Sequence, residues 1–286
     1  MIVSIASGKG GTGKTTVATN LAVSLGPGTQ LLDCDVEEPN DHLFLNPQWE
    51  SSQPVSTFVP RINESKCSFC GKCAEICQFK ALVILKDTTL TFTELCHSCL
   101  GCVAICPEDA VEKGERELGE LERGTSRGVE LIHGRLRVGE AMAPPLIKKV
   151  KAQARAENVI IDAPPGASCP VVAAIKHTDY VALVTEPTPF GLHDLKIAVE
   201  AVRYIGIPHG IIINKCDIGT DDVKDFARAM DIPILMELPF QREIAEAYSR
   251  GELLVENSQE WREAFQALWK KIGHEVELAS KGRAVA

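Results

Sequence analysis

Two groups of residues in this sequence have the types and the spacing that bind anions and metals. The first group runs from Gly8 to Thr16, follows an apolar segment and precedes a helical pattern. Its glycines let backbone N–H groups turn toward a phosphate chain, and a helix N-terminus adds positive potential. The pattern predicts a P-loop in which Lys14 contacts the β- and γ-phosphates and Thr15 binds Mg²⁺. The residues expected to line the nucleotide are Gly8, Gly10, Gly11, Thr12, Gly13, Lys14, Thr15 and Thr16.

The second group consists of eight cysteines in two runs that share the spacing C-x₂-C-x₂-C-x₃-C. This spacing resembles that of bacterial two-cluster ferredoxins, in which the fourth cysteine of each run binds the other cluster. The resemblance implies two [4Fe–4S] clusters, one bound by Cys67, Cys70, Cys73 and Cys106 and the other by Cys96, Cys99, Cys102 and Cys77. Structural zinc is the alternative, but it uses pairs of C-x₂-C and would leave half of the cysteines without a role. The first run ends before Gln78 where the pattern has proline, which removes no ligand.

The composition excludes several classes of function. The chain has 286 residues and a formal net charge of −9, which argues against a nucleic-acid groove. No apolar stretch is long enough to span a bilayer, so we expect no transmembrane helix. Eleven cysteines without a secretory signal indicate a reducing compartment, and we expect a cytoplasmic protein. The three cysteines outside the runs are expected to be buried apolar residues: Cys34, Cys169 and Cys216.

Short β-branched runs alternate with helical patterns in the outer parts of the chain. The expected strands show almost no polar alternation, which is typical of parallel strands covered on both faces. They are Ile2–Ala6, Thr29–Asp33, Val159–Asp162, Tyr180–Thr185, Gly210–Asn214 and Ile232–Met236. The expected helices lie near Thr15–Leu25, Leu146–Ala156, Gly191–Ile205, Asp221–Met230 and Arg242–Arg250. This alternation predicts an α/β fold, a doubly wound and mostly parallel sheet.

The cysteine-rich middle interrupts this alternation, so we expect a small α+β ferredoxin-like domain inserted into the P-loop domain. The predicted boundaries are 1–60 for the first part of the P-loop domain, 61–112 for the insertion and 113–286 for the second part. The charged, glycine-rich segment Gly114–Gly139 is interpreted as a return linker or a hairpin. Each cysteine run is followed by an Ala-Leu or Ala-Val pair, as in a duplicated half-domain.

A second lysine inside the loop, Lys9, gives a more specific resemblance. The sequence of residues 9–16, Lys-Gly-Gly-Thr-Gly-Lys-Thr-Thr, is similar to the deviant Walker A motif of MinD/ParA/Mrp-type ATPases, a group that includes the nitrogenase iron protein. In that group the early lysine crosses a dimer interface to the partner's nucleotide. The resemblance therefore implies an ATP hydrolase with Lys9, Lys14 and Asp35 as catalytic residues, acting as a nucleotide-sandwich dimer.

Further segments match the same family. The resemblance implies that Asp35 orients the attacking water, that Asp33 lies nearer the Mg²⁺ shell, and that Asp162 holds Mg²⁺ through water. Gly166 would sense the γ-phosphate. The adenine is expected beside Asn214, Pro239 and Phe240.

The resemblance is less specific for the biological role. Its relatives favour an ATPase in iron–sulfur or metal-cluster assembly or transfer, with ATP or ADP, Mg²⁺ and two [4Fe–4S] clusters as cofactors. The alternatives are an ATP-gated electron donor resembling the nitrogenase iron protein and a positioning ATPase like MinD. We expect a homodimer or a heterodimer with a paralogue, a client iron–sulfur or redox protein, no nucleic acid and no membrane partner. The apolar stripe from Trp261 to Ile272 is expected to pack on the sheet, because its polar face is not strongly basic.

Overall fold

The computed structural model describes residues 1–284. Within that range the strands are β1 (Ile2–Ala6), β2 (Thr29–Asp33), β3 (Gln48–Ile62), β4 (Leu82–Ile84), β5 (Thr89–Thr91), β6 (Val111–Ser126), β7 (Val129–Leu136), β8 (Asn158–Asp162), β9 (Tyr180–Thr185), β10 (His209–Asn214) and β11 (Ile234–Leu238). Nine of them form one sheet in the order β11-β10-β9-β1-β8-β2-β7-β6-β3, and β4 pairs with β5 separately.

The central strands from β11 to β7 are parallel. Most of their residues are buried. In β2 and β9 every residue is buried, as expected for strands covered on both faces. The prediction of a mostly parallel α/β sheet is therefore confirmed. The sheet places the carboxyl ends of β1, β2, β8, β9 and β10 along one edge, where ligands bind in folds of this kind.

The helices of the described chain cover both faces of this sheet. They are α1 (Lys14–Leu25), α2 (Asp41–Leu45), α3 (Lys72–Ile76), α4 (Gly101–Ile105), α5 (Ala143–Lys151), α6 (Cys169–Ile175), α7 (Pro189–Ile205), α8 (Asp222–Ala229), α9 (Arg242–Ser249), α10 (Leu254–Asn257) and α11 (Gln259–Ala284). On one face α11 buries Phe265, Leu268 and Ile272 against α1 and the sheet, which confirms the expected packing of the C-terminal stripe. No helix within residues 1–284 is long and apolar enough to cross a membrane.

The antiparallel part of the sheet extends well beyond the hairpin that the sequence allows for Gly114–Gly139. We call the long antiparallel pair of β3 and β6 the ribbon. The end formed by the start of β3 and the last residues of β6 pairs with β7 and so extends the main sheet, and the far end carries the cysteine-rich segment 63–110. The segment Gly114–Gly139 is thus a hairpin rather than a linker. Gly119 is required there, because a Cβ would lie 2.1 Å from the carbonyl oxygen of Arg135 on β7.

The ribbon has the properties of a protected sheet edge. β3 is the outermost strand, and it contains Pro54 and Pro60, which cannot donate to a further strand. Between Val55 and Ser56 the register shifts, so that Leu118 of β6 is an extra residue, a β-bulge. Beyond the bulge the ribbon leaves β7 and continues alone.

Candidate functional site

The loop between β1 and α1 has the backbone of an anion cradle. Gly11 and Gly13 have φ angles of 76° and 96°, a region that favours glycine, and Gly13 is the N-cap of α1. At Gly8 a Cβ would lie 2.2 Å from the carbonyl oxygen of Asp194 in α7, so a side chain there would push the loop away from its neighbour. The side chain of Lys14 is buried at the start of α1.

A hydroxyl and a carboxylate at this edge fit a magnesium ion. The Thr15 hydroxyl donates to Oδ2 of Asp162 at 2.7 Å, and Asp162 is the last residue of β8. Oδ1 of Asp162 is buried and accepts no hydrogen bond from an amide, hydroxyl or cationic group of the described residues; the carboxyl group of Asp41 lies within hydrogen-bond reach of Asp162. Mg²⁺ prefers oxygen ligands and retains several waters, so the free oxygen and the hydroxyl fit its coordination shell.

Asp33 lies beside Asp162 in register but makes different contacts. Its Oδ1 accepts the backbone N–H of Asp35 at 3.0 Å, and its Oδ2 accepts those of Asn40 at 3.0 Å and Asp41 at 3.2 Å. Both oxygens of Asp33 are therefore occupied by the backbone of segment 35–41. The structure places Asp33 as the anchor of that segment, while Asp162 offers the free oxygen.

Asp41, the first residue of α2, is a site residue that sequence reasoning missed. It is completely buried, and neither of its carboxylate oxygens accepts a hydrogen bond from the amide, hydroxyl or cationic groups of the described residues. Its carboxyl group does lie within hydrogen-bond reach of the carboxyl group of Asp162. Burial and the charges of Asp33 and Asp162 raise the pKa of Asp41 well above its usual value. An aspartate at the start of a helix resembles an ordinary N-terminal charge, so the sequence carried no signal for this role.

Burial is also the main cause of the raised pKa values of the other three aspartates beside the phosphate loop. It raises the pKa of Asp33 well above its usual value, and the charge of Asp162 adds to the effect. It raises the pKa of Asp162 and of the half-buried Asp35 to about 6 each, although the charge of Lys14 opposes both shifts. The charges of Asp33, Asp35 and Asp162 raise the pKa values of their neighbours in this group, and a cation bound nearby would relieve that repulsion.

The side chain of Lys9 forms an ion pair within this chain. Its Nζ lies 3.5 Å from a carboxylate oxygen of Glu186, which immediately follows β9. The other oxygen of Glu186 lies 2.6 Å from Nζ of Lys215. Glu186 therefore pairs with two lysines that come from the ends of the neighbouring strands, and the sequence analysis did not identify it.

The expected adenine residues lie at the ends of β10 and β11. The side-chain amide of Asn214 donates to the carbonyl oxygen of Thr12 at 2.9 Å, which joins this strand end to the phosphate loop. Phe240 is half exposed, and its backbone N–H donates to Asp217 at 2.5 Å. Nζ of Lys215 lies 5.9 Å from the Phe240 ring centroid. Asn214 therefore borders the P-loop, and Phe240 lies beside Lys215 and Asp217, which follow Asn214 in the chain.

The cysteines at the far end of the ribbon group by the crossed pattern rather than by run. One cavity is lined by all of Cys67, Cys70, Cys73 and Cys106, together with Pro107. In a second group, Cys77 of the first run packs beside Cys96 of the second, against Val59 and Ala81. Within residues 1–284 no set of three or more His, Cys, Asp or Glu side chains converges on a single metal ion. A four-iron cluster needs a different arrangement, because each thiolate binds a different iron atom.

The backbone around these cysteines repeats with a period of 29 residues. The N–H groups of Phe69 and Ser98 lie 3.4 Å from the sulfurs of Cys67 and Cys96. Those of Ala81 and Ala110 lie 3.3 Å from the sulfurs of Cys77 and Cys106. Backbone N–H groups directed at sulfur stabilise thiolate and tune the potential of a bound cluster. The residues present therefore fit two [4Fe–4S] clusters.

The three remaining cysteines differ in exposure. Cys34 is buried, as expected, and Cys216 is half buried. Cys169 is exposed at the start of α6, so the expectation of a buried residue is wrong there. The segment after β8 runs along the surface for several residues before α6 packs on the sheet, which explains the difference. Gly166 lies in that segment, with a φ of 102°.

Comparisons with known proteins identify the family. The description "CbiA: CobQ/CobB/MinD/ParA nucleotide binding domain" matches residues 3–255. The uncharacterized protein MJ0579 of Methanocaldococcus jannaschii is 31% identical over 264 residues, 88% of this chain and 90% of that protein. An iron-sulfur cluster carrier protein of Aquifex aeolicus is 25% identical over 301 residues, 96% of this chain and 68% of that protein.

The fold agrees with solved structures of the same kind. The septum site-determining protein MinD of Pyrococcus horikoshii, complexed with Mg-ADP, gives a TM-score of 0.59 at 21% identity and covers 97% of this chain and 96% of its own. The cell division ATPase MinD of Pyrococcus furiosus gives 0.58 at 20%, with 96% and 98% covered. The chain therefore belongs to the CobQ/CobB/MinD/ParA family of nucleotide-binding domains.

Proposed function

We propose that this protein hydrolyses ATP as a nucleotide-dependent dimer and carries two [4Fe–4S] clusters on an inserted domain, residues 61–112. The proposed role is the assembly or transfer of iron–sulfur or related metal clusters to a client protein. The observation that carries the proposal is the crossed grouping of the cysteines in a chain that also has a complete phosphate loop. The similarity to an iron-sulfur cluster carrier protein supports the role.

In the proposed reaction each residue at the loop has a separate task. Lys14 and the loop N–H groups bind the phosphates, and Thr15 and Asp162 hold Mg²⁺, which neutralises charge on the β- and γ-phosphate oxygens when bound. Asp35, with a pKa of about 6, is mostly ionised at neutral pH and can accept a proton from the attacking water. Lys9 offsets the charge that develops on the partner subunit's phosphates.

The dimer can be tested with two variants that fail at different steps. Lys9→Ala and Asp35→Ala chains are each expected to bind ATP and to turn it over slowly. In a mixed dimer the Asp35→Ala subunit still offers Lys9 to its neighbour, whose Asp35 is intact, so one site of two should recover activity. Demonstrated heterodimers without any recovery would mean that Lys9 acts within its own chain.

Two other roles remain candidates. The ferredoxin-type spacing also suits an ATP-gated electron donor, and the complete ligand sets within one chain mean that no partner is needed to hold the clusters. The family match and the MinD structures suit a positioning ATPase. In the described chain, however, the apolar stripe of α11 is buried against the sheet. It is not available to bind a membrane surface in this conformation.

One measurement on the cluster-loaded protein separates the three roles. The rate of cluster loss to an iron chelator and the reduction potential are measured without nucleotide, with ADP and with a non-hydrolysable ATP analogue. Faster loss with one nucleotide supports transfer, and a shifted potential supports electron delivery. A Lys14→Ala chain is the matched control, because it keeps the cysteines and loses the main phosphate contact. If neither the rate of cluster loss nor the potential changes with nucleotide in the unsubstituted chain, both the transfer role and the electron-donor role are contradicted and positioning is favoured.

A further inference from the structure

A row of polar side chains crosses the sheet from the proposed magnesium site to the ribbon. Asp33 of β2 is in register with Asp162 of β8 on one side and with His133 of β7 on the other. His133 is in turn in register with Glu122 of β6, and its Nε2 lies 2.8 Å from the Glu122 carboxylate. Partners in register lie on the same face of a sheet. One face therefore joins the two regions without a break.

The short helix α2 lies across this row with consecutive residues. Asp41 faces the carboxylates of Asp33 and Asp162, and its backbone N–H is bonded to Asp33. The next residue, His42, contacts His133 edge-on, with ring centroids 5.4 Å apart and planes at 88°. α2 therefore contacts the magnesium site and the centre of the row at the same time.

The base of the ribbon completes this contact. Trp49, the second residue of β3, lies with its ring centroid 4.9 Å from that of His133 and 6.5 Å from that of His42. Burial lowers the pKa of both histidines, which favours their uncharged form, and the two rings pack as aromatic groups. The three rings form an aromatic cluster (His42, His133 and Trp49) between α2 and the ribbon.

We propose that His42 is a positioning residue, which couples the segment held by Asp33 to the base of the ribbon. Segments that contact a γ-phosphate and its metal rearrange when the nucleotide changes. Segment 35–41 ends at Asn40 and Asp41, which begin α2 and donate to the same oxygen of Asp33. A shift of this segment therefore moves the start of α2. His42 transmits that shift to Trp49 and so to the strand that carries the cysteine segment. This inference rests on the proposed nucleotide binding.

Trp49 provides a built-in reporter for the test. The sequence has three tryptophans, and Trp261 and Trp269 both lie in α11, so replacing these two by phenylalanine leaves Trp49 as the only one. Emission of Trp49 is recorded with and without Mg–ATP, while binding is measured separately by calorimetry. The expected result is a nucleotide-dependent change that His42→Ala abolishes while ATP affinity stays within about threefold, since His42 does not contact the loop.

Two controls keep the test specific. His209→Ala removes another half-buried histidine, which is the first residue of β10 and lies at the amino end of that strand, away from the phosphate loop. This variant should leave the Trp49 change intact. Hydrogen exchange of residues 48–53 in the unsubstituted chain needs no variant, and their exchange rates should differ with and without Mg–ATP.

The outcomes separate this inference from the proposed function. Bound ATP with no change in Trp49 emission or in exchange at residues 48–53 would overturn the coupling alone. An undiminished Trp49 change in the His42→Ala chain would also overturn it. Failure of ATP to bind at all would refute the proposed function and the coupling with it.

Discussion

The buried carboxylates beside the phosphate loop should lower the stability of the protein when no metal is bound, and Asp162→Asn should raise it. Burial raises the pKa of Asp162 from 3.8 to about 6. The folded chain therefore binds this proton more tightly than the unfolded chain does, and stability decreases as pH rises between these values. A difference of about 2 pKa units corresponds to a loss of about 3 kcal/mol in the free energy of unfolding, and the loss is complete once the pH is well above 6.

The substituted side chain keeps the shape and removes the charge. Asparagine can still accept the hydrogen bond of Thr15, so little is lost when the ionisable group is removed. From the shift of Asp162 alone, the expected gain in the free energy of unfolding is about 3 kcal/mol at pH 8 and about half of that at pH 5. The charge of Asp162 also raises the pKa values of Asp33 and Asp41, and its removal relieves these groups in the same direction.

Urea unfolding in magnesium-free and nucleotide-free buffer, at pH 5 and at pH 8, measures both values. Asp225→Asn is the matched control, because Asp225 is exposed and forms a surface ion pair with Arg228 whose loss should cost about 0.5 kcal/mol or less. A less stable Asp162→Asn chain at pH 8, or a gain that is equal at both pH values, would refute the reasoning. Added Mg–ATP should stabilise the unsubstituted chain and have little effect on the variant.

Three further predictions concern other parts of the chain. Glu186→Gln should free Lys9 and strengthen ATP-dependent dimerisation by about two- to tenfold in analytical ultracentrifugation, because each dimer must break two such partly exposed pairs; weaker dimerisation would contradict this. Cys106→Ser should remove about four irons per chain and the cluster signal of the first run, and loss of only the other cluster would disprove the crossed pattern. Gly8→Ala should abolish ATP binding in calorimetry and destabilise the chain by about 1–3 kcal/mol, because its Cβ would overlap the carbonyl oxygen of Asp194; unchanged binding would mean that the loop moves freely.

The elements that the sequence predicts well are those in which one physical signal acts alone. The strands from β8 to β10 are short apolar runs, and the sheet buries them on both faces. The P-loop has a fixed glycine spacing, and the stripe of α11 has a helical period. In each case the residue types alone imply the environment in which they were found.

The elements that the sequence obscures depend on partners far along the chain. β6 contains Glu, Lys, Arg and Gly at most positions, and it becomes a strand only through pairing with β3 and β7. Asp41 and Glu186 are ordinary acidic residues in sequence, and their roles come from burial and from contacts to residues that other strands position. No local pattern records such contacts.

The length of the ribbon limits how bound ATP would act on the proposed clusters. Glu122 lies in the polar row, whereas Phe58, whose carbonyl accepts from Ser98 in the second cysteine run, pairs with Glu115, seven residues away. Seven residues of strand span about 23 Å. Ionic screening at physiological salt decays over about 8 Å, so the charge lost with a γ-phosphate has little direct effect at that distance. A bend at the Leu118 bulge acts instead: a rotation of about 10° there moves Val111, seven residues and about 23 Å away at the far end of the ribbon, by about 4 Å.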